Sequence, residues 1–155
     1  VGTGAIAAVG AGLVTGAIGW VPTLAAHLLL VAVTTILIVT DLDHMRIPNR
    51  ILYPGGIACL VLLGAGAFAE DRTGDLVRGL IAGALYWGVF LMIWLSARGQ
   101  GFGFGDVRLS ALLGLFLGFH SWQLLARGLL ATALLGGIPA IVMLAQGKGR
   151  KTLLP

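Results

Sequence analysis

The sequence predicts an all-α membrane protein, a polytopic bundle of about six transmembrane helices, and three observations carry that expectation. Hydrophobic residues make up 58% of the 155 positions and Asp, Glu, Lys and Arg only 10%, against roughly 25% charged in ordinary soluble domains. The apolar residues come in stretches long enough, at about 20 residues, to cross a hydrocarbon core. Nearly all the charges fall in the short segments between those stretches. Too few polar side chains remain to wet the surface of a soluble globule, so the lipid bilayer is the expected solvent and partner. A single cysteine, Cys59, excludes a disulfide scaffold and a Cys-rich zinc site. The net charge of +4 comes without a basic stripe, so no nucleic-acid partner is expected.

Read in order, the spans fall at about 2–20, 24–40, 51–69, 76–96, 107–120 and 124–145. The first lacks a basic n-region and runs directly into Trp20-Val21-Pro22, so it reads as a helix and not as a signal peptide. Many of the 25 glycines sit at small-xxx-small spacing: Gly12 with Gly16, Gly79 with Gly83, Gly114 with Gly118. In lipid that spacing brings helix backbones together, so all three pairs are expected to pack helices. Trp20, Tyr53, Trp94 and Trp122 lie at span ends and read as interface anchors, whereas Tyr86 and Trp87 lie within the fourth span. His27, early in the second span, reads as a group satisfied by an interhelical hydrogen bond.

Segments between spans alternate sides. One side collects Arg46, Arg50, Arg98, Arg108, Lys148, Arg150 and Lys151, and the other Arg72, Arg78 and Arg127. The positive-inside rule assigns the first group to the cytoplasm. Asp41, Asp43 and Asp106 belong to that side, while Glu70, Asp71 and Asp75 belong to the opposite loop. Two remote segments thus bring carboxylates to one membrane face.

Asp41 follows an apolar stretch, Leu28 to Val39, broken only by Thr34 and Thr35. An ionisable group at the hydrocarbon edge is costly and therefore a functional candidate, and an acid at a helix C-terminus opposes the macrodipole. Simple hydration of the helix end, with pairing to Arg46 or Arg50, is the bland reading of Asp41 and Asp43. Pro48 biases Ile47 away from helix and forces a turn before the third span. The second segment, Gly99-Gln100-Gly101-Phe102-Gly103-Phe104-Gly105-Asp106, is a glycine strip that a substrate backbone can approach closely. It ends on an acid that opens the fifth span, where a plain N-cap is the alternative role. A dinucleotide loop does not fit, because no strand precedes the strip.

Two carboxyl groups sharing a proton can hydrolyse an amide. The ionised member takes a proton from water while its protonated partner polarises the carbonyl. That chemistry requires neither metal nor cofactor, and none is expected. Ser96, Ser110 and Ser121 lack a Ser/His/Asp context. An ion or proton transporter with paired acidic residues is the alternative, although it would favour acids nearer the midplane and internal repeats.

The segment Asp41 to Pro48, leading into Ile47-Pro48-Asn49, and the segment Gly103-Phe104-Gly105-Asp106-Val107-Arg108 resemble the two signatures of type IV prepilin peptidases, membrane aspartic proteases of the GxGD class. The resemblance implies Asp41 and Asp106 as the catalytic pair. Asp43, Pro48, Asn49, Gly103, Gly105 and Arg108 are implied as motif or substrate-proximal residues, with Arg108 where the family usually has Lys. It also implies cleavage of the short basic leader of a prepilin or pseudopilin precursor, after a Gly and before an apolar segment. The place of action would be the cytoplasmic face of a prokaryotic inner (cytoplasmic) membrane. The four cysteines of the family's N-terminal region are not in this sequence, and Lys151 to Pro155 looks like the lead-in to its final Phe-Gly-Pro-Phe motif and helix. The expectation is therefore a single membrane-embedded peptidase domain over 1–155, lacking the family's final helix and methyltransferase activity.

Overall fold

The structure, a computed structural model, describes the backbone of residues 2–18, 21–44, 49–96 and 103–145 and the side chains of 4–17, 21–40, 52–96 and 103–134. Among the described residues every regular element is an α-helix. In order they are α1 (Gly2–Ile18), α2 (Leu24–His44), α3 (Asn49–Ala69), α4 (Thr73–Ser96), α5 (Phe104–His120) and α6 (Trp122–Ala145). Leu52–Ala69 of α3 and Thr73–Ser96 of α4 are long and apolar enough to cross a membrane, each with mean hydropathy 1.8. Only 28% and 22% of those two stretches are buried inside the protein, so their outward faces are apolar as well, with Ile57, Val61, Phe68, Val77, Ile81 and Met92 all exposed.

Successive helices pack on one another, and α5 occupies the middle. Its Leu112, Leu115, Phe116 and Phe119 meet Ala26 of α2 and Cys59, Leu63 and Ala67 of α3 in the main core. A second cluster joins Val33 and Leu37 of α2 to Leu52 of α3, with Leu109 of α5 packed against it. The closest association is between α4 and α5, and glycine makes it possible. A Cβ on Gly79 would stand 2.8 Å from the Leu115 carbonyl, and one on Gly83 2.9 Å from that of Ala111. From the other side, a Cβ on Gly114 would meet Tyr86 and Ala82, and one on Gly118 would collide with the Ala82 methyl. These two glycine pairs act as their spacing predicts.

Gly12 and Gly16 do not: no atom lies within 4 Å of a Cβ built on either. The close approach of α1 is made instead at Gly10, against Val31 of α2. Isolated glycines do the same elsewhere, Gly55 against Val33, Gly66 against the Thr23 backbone and Gly128 against Leu117. Tyr86 is a core residue whose hydroxyl shares a 3.0 Å hydrogen bond with Thr132 of α6, whereas Trp87 faces outward. Tyr53 and Trp122 are exposed, as anchors would be, but Trp94 packs edge-on against Phe104 at 5.0 Å. Trp20 lies outside the described residues.

The turn between α3 and α4 shows how a helix end is closed here. Asp71 adopts φ 55°, a left-handed conformation that Asp tolerates better than most residues. The Arg72 N–H then donates to Ala67 O and the Asp71 N–H to Phe68 O, the pattern of a Schellman cap. Glu70 reaches across to the start of α2 and accepts a 2.6 Å hydrogen bond from the Thr23 N–H, one of the donors that a helix start leaves without an internal partner. Arg72 bridges Glu70 and Asp75, and Arg78 also pairs with Asp75. The Arg78 guanidinium further donates to the carbonyls of Gly118, Phe119 and His120, capping the C-terminus of α5.

Burial works against the Glu70 carboxylate, but the hydrogen bond from the Thr23 N–H and the Arg72 guanidinium outweigh it and hold the carboxyl below its ordinary value of 4.5. The folded state therefore favours the anion. Its stabilisation is complete above the ordinary value and is lost as pH falls through the lower folded one. Melting in detergent should thus show an acid-side loss of stability below about pH 4.5 that Glu70→Gln flattens. Gly118→Val should destabilise by about 1–3 kcal/mol through overpacking, whereas Gly12→Val, in open space, should stay within about 0.5 kcal/mol of the parent. Reversible unfolding of the two variants in mixed micelles measures the difference.

Candidate active site

The end of α2 and the start of α5 carry the sequence-predicted site. Helix α2 continues through Asp41 and Asp43 to His44, and α3 begins at Asn49. The side chains of Asp41, Asp43 and Asn49, and all of Met45 to Pro48, lie outside the described residues. Asp41 is four positions beyond Leu37, one helical turn, and Leu37 belongs to the cluster that Leu109 joins. Asp106 is three positions before Leu109 on α5. The other ends of the same helices also meet, where His27 Nε2 lies 2.9 Å from His120 Nε2. The two helices therefore run antiparallel, with the C-terminal end of α2 beside the N-terminal end of α5.

Asp106 is not the N-cap of α5. Gly103 holds that position with extended backbone, φ −72° and ψ 148°, and Asp106 stands in the first turn with its N–H donating to Gly103 O at 3.1 Å. A negative charge there is favoured by the helix macrodipole. The carboxylate lies close over Gly103, since a Cβ on that glycine would stand 3.8 Å from Asp106 Oδ2. Gly105 is the second residue of α5 and is half-buried, so the described part of the glycine strip enters the helix within its first turn.

Two positions beyond Asp106, the Arg108 guanidinium lies over the rings of Phe104, 4.7 Å from its centroid, and Tyr53 of α3, at 5.5 Å. These aromatic partners were not evident from the sequence. Tyr53 read only as an interface anchor, and nothing in the linear order placed it beside the fifth helix. The three serines make local backbone contacts. Ser96 donates to Met92 O, the buried Ser110 donates to Val107 O, and Ser121 Oγ accepts from the Leu124 N–H.

His27 makes the interhelical hydrogen bond expected of it, to a partner the sequence reading missed. Its Nδ1 is 2.8 Å from Thr23 O, and a carbonyl can only accept, so Nδ1 carries the proton and Nε2 accepts from His120 Nε2–H. The signal was available: both histidines sit at the same end of antiparallel spans. Among the described residues no group of three or more His, Cys, Asp or Glu side chains is arranged to hold a metal.

Asp106 thus stands in the first turn of a central helix, behind a glycine N-cap, at the end of the bundle where α2 finishes. The chain belongs to the type IV leader peptidase family, whose family model matches residues 28–141. It is 39% identical over 130 residues to a prepilin leader peptidase/N-methyltransferase of Aeromonas hydrophila, covering 79% of this chain and 40% of that protein. Proteins of the same name from Stutzerimonas stutzeri and Pseudomonas aeruginosa are 32% identical over 110 residues and 33% over 105, covering 70% and 67% of this chain. The chain spans 36% and 34% of those two proteins, so it corresponds to well under half the length of the curated relatives it matches. Their names pair leader peptidase with N-methyltransferase, which gives no support to the expectation that methyltransferase activity is missing. No solved structure matches the chain.

Stacking on two rings depends on a planar cation. Arg108→Lys keeps the charge and should still cost about 0.5–1 kcal/mol of stability, read as a lower melting temperature. Phe104→Leu should remove most of the difference between Arg and Lys.

Proposed function

We propose that this chain is a membrane-embedded peptidase domain that removes the short basic leader of a prepilin or pseudopilin precursor, with Asp41 and Asp106 as its catalytic pair. The observation that carries this reading is the shared packing of Leu37 and Leu109, each one helical turn from one of the two acids. Family membership supports the substrate class. The bundle is read as crossing the inner membrane six times, because every helix between the polar segments is apolar. The excess of Lys and Arg on the Asp41 and Asp106 side puts that end in the cytoplasm.

The helix ends suggest how the work is divided. The first turn of α5 favours negative charge and the last turn of α2 disfavours it, so Asp106 is the ionised member and Asp41 the protonated one. Asp106 takes a proton from water as the oxygen adds to the peptide carbonyl, while Asp41 gives its proton to the carbonyl oxygen. In the collapse of the resulting diol, the C–N bond breaks and the amine takes the proton now on Asp106. A diol hydroxyl returns a proton to Asp41, so the pair ends with one shared proton, as it began. Gly103 and Gly105 leave the substrate backbone room to approach Asp106, and Asp43, Pro48 and Asn49 shape the other side.

Coexpression with a prepilin, followed by gel shift of the leader, tests the assignment. Asp41→Asn and Asp106→Asn should each lower processing by at least about 10²-fold, the scale of lost acid–base catalysis, with both variants still in the membrane fraction. Normal processing in either would refute the pair, and ion flux without processing would favour the transporter.

A further inference from the structure

Helices α3 and α4 part above α5 and leave an open groove of about 320 Å³. Its floor runs along α5 from Arg108 to Leu115, and its walls include Leu52 and Ile57 of α3 and Leu80 of α4. Seven residues of helix amount to about 10 Å, or two turns. The groove changes character along its length. Among the described residues that line it, Arg108 and Tyr53 alone are polar or charged, both belong to the end nearest Asp106, and the remainder is aliphatic or glycine. It also opens outward, since Tyr53, Ile57, Leu60 and Leu80 are 40–63% exposed.

We propose that this groove is the exosite that seats the apolar segment following the scissile bond of the substrate. The proposal rests on the peptidase reading and deepens it. The argument for this occupant is charge and polarity taken together. A precursor of the proposed class reads basic, then scissile, then apolar. Arg108 at the mouth repels the basic leader and so bars it from the groove, while the ionised Asp106, two positions before it, attracts it. The apolar segment meets no charge once past Arg108, and entry from the side needs no opening of the bundle. Arg108, held over Phe104 and Tyr53, thus becomes a positioning residue that fixes the register in which the scissile bond arrives at Asp106.

Groove-lining residues separate this role from structural support. A Cβ on Gly56 meets nothing within 4 Å, and Ala84 is exposed, so Gly56→Leu and Ala84→Leu project into the groove without disturbing internal packing. Gly83 is unsuitable, because α5 already presses on it.

The test uses the full chain in liposomes and two probes. Both carry the same basic leader ending in Gly; one continues into an apolar helix of about 20 residues, the other into a short polar tail. The Gly56→Leu/Ala84→Leu variant should shift the ratio of kcat/KM between the probes at least about tenfold against the helical one, the scale of a misfit in an apolar pocket. The shift should fall mainly in KM, and an unchanged ratio overturns the proposal. A benzophenone amino acid in place of Leu80 should cross-link to the helical probe, and the same group in place of the exposed Leu130 of α6 should not. Equal adducts at both positions, or adducts with lipid alone at position 80, also overturn it. A parent chain that cleaves neither probe refutes the peptidase reading, and the cross-link at position 80 then still decides the groove.

Discussion

The contact between α4 and α5 is the constraint on which the rest of the bundle depends. Four glycines, two on each helix, let the backbones approach until carbonyls and Cα atoms touch. Without a hydrophobic drive between helices in lipid, such contact supplies much of the packing energy. Once α5 is fixed against α4, its other face is committed to α2 and α3, and the main core forms from Phe116, Phe119, Cys59 and Leu63. The position of Asp106 follows from that commitment. The acid stands at the end of the most deeply embedded helix, so its distance from the end of α2 is set by packed side chains along the whole length of α5.

The two ends of α5 are treated differently. At its C-terminus the carbonyls are capped by Arg78, and the surrounding charges are matched among Glu70, Arg72 and Asp75. The His27–His120 pair closes the same end with a hydrogen bond from the exposed His120 to the buried His27 ring. These pairings offset much of the penalty of burying polar groups at this end, although the buried Thr23 hydroxyl makes no hydrogen bond there among the described residues. At the N-terminus the cap is a glycine without a side chain, and a carboxylate and a guanidinium stand within one turn of each other. Conformational restraint there comes from aromatic stacking of Arg108.

Local pattern made much of this legible. Apolar runs broken by short charged segments mark all six helices to within a few residues, because a helix in this composition must end where polar backbone and side chains can be satisfied. The acids at Asp41 and Asp106 stand out because an ionisable group at the edge of an apolar run is costly. Gly79, Gly83, Gly114 and Gly118 were readable because both helices keep a four-residue spacing on one face. Gly10, Gly55, Gly66 and Gly128 were not, since a single glycine becomes a contact only when a particular side chain of another helix arrives opposite it. Gly12 and Gly16 have the spacing and lack the neighbour.

By itself, then, the order of residues determined the helices, the edges where charge collects and the pair of acids that invites a chemical role. Those are local or pairwise properties of the chain and its solvent. Only the tertiary structure decided which glycines bear on which helix, that His27 meets His120, that Arg108 rests on Tyr53, and that a groove opens between α3 and α4. Each of these depends on the rotation and offset of one helix against another. Those two quantities emerge from the simultaneous packing of all the helices and are written in no single segment.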